Sequence, residues 1–161
     1  MLKRNLAGWT ALLVTLTSAG SLLAHHSLAY YDISKPVRVK GVVVRFAWMN
    51  PHSILFIDQT IADGQVQRWA LEGPATSPLQ RMGVGKDTFK AGDAIEACGF
   101  VMKPEFESQS AINREQISES LRATSPKTIS VKTLGASQVV MSDGQKRIWW
   151  IDHQDRCLGA D

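Results

Sequence analysis

The stretch from Val37 to His52, VRVKGVVVRFAWMNPH, constrains this chain more than any other. Val37, Val39, Val42 and Val44 are β-branched and favour a strand, because their stiff side chains pack well on a pleated surface. Gly41 lies inside that run, where glycine marks a bulge or a sharp bend, and the alternation of side chains slips there. The expectation is one long bent strand serving two faces of a small barrel. Asn50-Pro51 ends it, since proline donates no backbone N–H and restricts the residue before it. His52 is thereby expected on the loop that leaves the longest strand, at the mouth of the sheet.

The remaining elements follow in order. Ser53 to Asp58 reads as a second strand, with Ile54, Phe56 and Asp58 on one face and Leu55 and Ile57 on the other. Ala62-Asp63-Gly64 signals a hairpin, because Asp-Gly tolerates the positive φ of a tight turn. Gln65 to Glu72 is a third strand. Within Pro74 to Gly83 the period changes: Ser77 can cap, Pro78 suits a first helical turn, and Leu79 and Met82 lie three apart. Ala94 to Met102 reads as a fourth strand after a turn at Phe89 to Asp93, and Thr128 to Met141 contains a fifth. Arg147 to Ile151 forms a short closing strand, and residues 103–126 form a polar insertion poor in apolar anchors. Three meander strands, a short helix and two or more further strands give an all-β fold with minor helix. It is an OB-like barrel of five to six strands, with the helix between the third and fourth strands. A β-sandwich is the competing architecture.

The N-terminus predicts export. Lys3 and Arg4 precede an apolar run from Leu6 to Leu23, the pattern of a secretory signal, with cleavage expected after Ala24. A competing cleavage site lies at Ser18 to Ser21, and an uncleaved anchor is the alternative, since roughly 18 apolar residues can span a bilayer. Cleavage leaves one domain over residues 25–161 in the periplasm or outside the cell. The loss of Lys3 and Arg4 takes the formal net charge from +3 to +1. The basic balance therefore owes much to the signal and does not argue for nucleic acid. In an oxidising compartment Cys98 and Cys157 are expected to form a disulfide that ties the tail to the barrel.

Histidine carries the chemistry. His25 and His26 stand at the expected mature N-terminus, and His52 follows Asn50-Pro51. Cleavage after Ala24 gives His25 a free α-amine, whose ordinary pKa near 8 leaves part of it neutral and able to coordinate. That amine, its imidazole and a nitrogen from His26 or His52 would hold a metal ion. Such nitrogen sets suit Cu(II) best, ahead of Zn(II) and Ni(II). Set against this are a frayed terminus and a His52 that only hydrogen-bonds its loop. His153 lies in a charged tail and reads as solvated. Glu72, at the end of the third strand, approaches His52 in a barrel of this order. The bland alternative is pairing with a cation such as Arg45 or Arg68. Trp48, Trp69, Trp149 and Trp150 read as packing residues. No nucleophile elbow, metalloprotease helix or phosphate loop is spelled out, so the chain reads as a binding protein rather than an enzyme.

HHSLAYYD, KPVRVKGVVVRFAWMNPH, RWALEG and FKAGDAIEACGF together resemble a family of small exported bacterial proteins known only as a domain of unknown function. The ordered pieces are HHS after the signal, then W-x-NPH, W-x-LEG and K-x-GD, and they run from His25 to about Phe100. The resemblance implies a compact periplasmic β-domain with His25, His26, Asn50, Pro51, His52, Trp69 and Glu72 on a shared face. It implies no activity. From Lys103 to Asp161 the chain departs from the family's short tail. The resulting expectation is copper bound by His25, His26 and His52, with Asn50, Glu72 and Trp69 supporting the imidazoles, for binding or delivery. The alternative is an accessory subunit of a periplasmic or membrane complex held by an uncleaved N-terminal helix. An oxidative copper enzyme using the same ligands is a third reading.

Overall fold

The computed structural model describes residues 29–110, 128–149, 156 and 157 of the chain. The chain falls into two compact units, Met1–Tyr30 and Tyr31–Asp161, and the second holds the barrel. The expected signal and its cleavage site, His25, His26, Trp150, His153 and most of the polar insertion lie outside the described residues. Among the described residues no helix is long and apolar enough to cross a membrane.

Strand β1 (Val37–Ala47) pairs with β2 (Ile54–Thr60), and β2 pairs with β3 (Val66–Glu72), all antiparallel. A short helix, α1 (Thr76–Arg81), leads to β4 (Ala94–Val101), which returns beside β1. Strand β5 (Thr128–Met141) runs antiparallel to β4 and parallel to β3, which closes a five-stranded barrel. Strand β6 (Lys146–Ile148) extends it from β5. Strand order and helix position are those of the OB-like fold that the sequence predicts.

The bend in β1 arises differently from the expectation. Residues Val37 to Val42 pair with β4 and Val42 to Ala47 with β2, so the strand changes partner midway. The ladder slips between Val43 and Arg45 rather than at Gly41. Gly41 answers a different need: a Cβ there would stand 2.7 Å from the Asp58 carbonyl oxygen, so the two backbones approach too closely for a side chain. The extra residue leaves no backbone group of Val43 stranded. Its N–H donates to the Asp93 carbonyl, and its own carbonyl accepts from Gly92 N–H.

Strand β2 also departs from simple alternation, because Ile54, Leu55, Phe56 and Ile57 are all fully buried. Leu55 and Ile57 join Val39, Val43, Leu71, Leu134 and Trp149 in the barrel interior, while Ile54 and Phe56 join Ala47 and Ala70 in a second cluster. One end of the interior is filled by aromatic rings. Phe46 lies edge-on to Phe89 at 5.3 Å and packs against Trp149 at 5.6 Å, within the range of favourable ring contacts. Trp69 and Trp149 are thus packing residues. Cys98 and Cys157 form the expected disulfide.

Candidate functional site

The loop from Met49 to Ser53 is held from several directions. The Asn50–Pro51 peptide bond is cis. The Asn50 Oδ1 accepts from the backbone N–H and the hydroxyl of Thr76, each at 3.0 Å. Asn50 therefore satisfies a donor in the first turn of α1, where the helix's own cap residue, Ala75, offers no side-chain acceptor. Ser53 continues the β2–β3 ladder, donating to the Pro74 carbonyl and accepting from Gly73 N–H. His52 sits between these two fixed points, facing the end of β3.

There it meets Glu72, which is 1% exposed. The Glu72 Oε1 stands 3.0 Å from His52 Nδ1, at ion-pair range though not aligned as a linear hydrogen bond. The distance is the more telling quantity, because the last torsion of a histidine is broad and alignment costs little. The other carboxylate oxygen, Oε2, accepts a 2.6 Å hydrogen bond from the Tyr31 hydroxyl. A carboxylate this buried needs such partners, since stripping it of water without compensation costs several kcal/mol, on the order of a marginal domain's whole stability. Arg68, one of the two cations considered for Glu72, instead pairs with Asp58 through two hydrogen bonds of 2.7 and 2.9 Å. The hydrogen bonds that Arg68 donates to Asp58 raise the pKa of its guanidinium and outweigh burial, which would lower it.

Tyr31 is the member of this group that sequence reasoning missed. It forms a β-bridge with Met102, beside an Asp32 N–H bond to the Val101 carbonyl. Its ring lies over Gly135, where a Cβ would stand 3.0 Å from the ring carbons and press the ring out of its place by a few tenths of an ångström. The one available signal was the position of Tyr30-Tyr31-Asp32 shortly after the histidine pair, beyond Ser27-Leu28-Ala29. Trp69 is not part of the cluster: it lies in the core, with its indole N–H donating to Gln59.

A cavity of about 880 Å³ opens next to the Tyr31 anchor, bounded by Asp32, Met102, Lys103, Glu107, Ser110 and Val131. Burial raises the Glu107 carboxyl above its ordinary range despite hydrogen bonds from Thr133. Among the described residues no group of three His, Cys, Asp or Glu side chains is placed to hold a metal ion. His52 is the one expected ligand whose surroundings are described.

A small OB-like barrel carrying a buried Tyr–Glu pair against a half-buried histidine at the end of β3 is the class of protein that fold and site define. The chain belongs to the DUF6152 family, a family of unknown function, whose model matches residues 12–108. That span includes every motif that carries the sequence resemblance. No curated protein and no solved structure matches the chain.

Proposed function

We propose that this protein binds one metal ion at His52, copper ahead of zinc, together with His25 and His26, and serves binding or delivery rather than turnover. The observation that carries the reading is the carboxylate of Glu72 against His52 Nδ1, a pairing that recurs where imidazoles coordinate metals. A carboxylate on Nδ1 fixes the ring and directs coordination to Nε2. The Cys98–Cys157 disulfide favours an oxidising compartment, where copper is held as Cu(II) and nitrogen ligands suit it. The parts of His25 and His26 rest on the sequence alone, as do export and cleavage after Ala24.

Titration of metal-free protein with Cu(II) tests this. One copper should bind per chain, and His52→Ala should weaken it by more than about 100-fold, with Zn(II) binding less tightly than Cu(II). Copper binding that ignores the substitution removes His52 from the site. A chain that keeps Met1 and binds no copper points to the membrane-anchored accessory subunit instead.

A further inference from the structure

We propose that Tyr31 is a positioning residue for metal binding at His52, acting through Glu72; the inference rests on the metal-binding reading above. Tyr31 is fixed on three sides: its backbone by the bridge to Met102, its ring by the slot over Gly135, and its hydroxyl by Glu72 Oε2 at 2.6 Å. Glu72 is in turn held at Oε2 by the phenol, and its Oε1 stands 3.0 Å from His52 Nδ1. The carboxylate torsion of a glutamate is broad, and the phenol on Oε2 helps to set it with Oε1 turned to the imidazole. With the phenol in place, Glu72 selects the imidazole tautomer that carries its proton on Nδ1, and it makes Nε2 a stronger donor to a metal.

The direct test is Tyr31→Phe, which keeps the ring in its slot and deletes only the hydroxyl. Copper should still bind one per chain, but about 10- to 100-fold more weakly, and the Cu(II) electron paramagnetic resonance spectrum should shift as the imidazole reorients. Gly41→Ala serves as the control for a general loss of stability, since it strains the barrel away from this cluster. It should leave affinity and spectrum as in the unaltered protein. If Tyr31→Phe fails to fold, Glu72→Gln takes its place and should move affinity and spectrum in the same direction. An unaltered protein that binds copper alongside a Tyr31→Phe, or Glu72→Gln, variant of equal affinity and identical spectrum overturns the role of Tyr31 alone. An unaltered protein that takes up no Cu(II) overturns the metal reading and this inference with it.

Discussion

Glu96 shows how single side chains tie the outer surface of the barrel. Burial pushes its carboxyl up, but hydrogen bonds from Lys40 and Arg38 outweigh burial, and the group sits below its ordinary value. Arg38 also donates to the Cys157 carbonyl, so the same guanidinium reaches the disulfide-bonded tail. A carboxyl lowered in the folded state contributes stability above its unfolded pKa, and that contribution is lost as pH falls through the lower folded value. Glu96→Gln should therefore destabilise the fold at pH 7 by under about 1 kcal/mol, small for so accessible a pair, and the resulting gap in melting temperature should close near pH 3. Melting curves across that range check it; a gap that persists in acid would contradict the assignment. Glu72 teaches a different lesson at this scale. Its closeness to His52 could be read from the strand order. Its bond to Tyr31 spans 41 residues and exists only because the segment before β1 returns beside β4 and over Gly135.

Among the elements, β1 was the most legible, and its irregularity was misplaced for a physical reason. Valine spacing reports that a strand exists, and glycine reports that something is special nearby. Neither tells which partner strand comes close, and that decides whether a glycine marks a bulge or a close approach. Here Gly41 faces the Asp58 backbone while the ladder slips between Val43 and Arg45. Gly41→Ala must push two backbones apart and should cost about 2 kcal/mol, a fall of roughly 8 °C in melting temperature. Val42→Thr, on the exposed neighbour, should change it by less than about 2 °C. Equal effects of the two substitutions would contradict the close approach. Strand β2 was legible in place but not in burial, because one strand's alternation cannot reveal that both of its faces are covered. Asn50, expected to support an imidazole, turns its carbonyl oxygen to Thr76 at the start of α1.

For the molecule as a whole, strand order was legible because three meander strands, a helix and two more strands admit few closed arrangements. The closing step was not spelled out, since β5 reaches both β3 and β4 over 14 residues and its start follows the long polar insertion. The Cys98–Cys157 disulfide adds a covalent tie across 59 residues. In the chain-entropy account, closing so long a loop stabilises by about 4 kcal/mol, so Cys98→Ala with Cys157→Ala should shift denaturant unfolding by that much. A loss below about 1 kcal/mol would mean that the tail is held by packing and by Arg38 instead. The candidate site was legible only in His52, Glu72 and the Asn50-Pro51 loop. The phenol that completes it belongs to a contact that only the closed barrel makes.

The most direct measurement of the central claim is intact mass together with metal content, on protein isolated from the compartment to which the cell delivers it. The account predicts a chain beginning at His25 that carries about one copper, and a His52→Ala chain of matching N-terminus with the metal gone. A chain that begins at His25, is folded and disulfide-bonded, and carries no metal would contradict it.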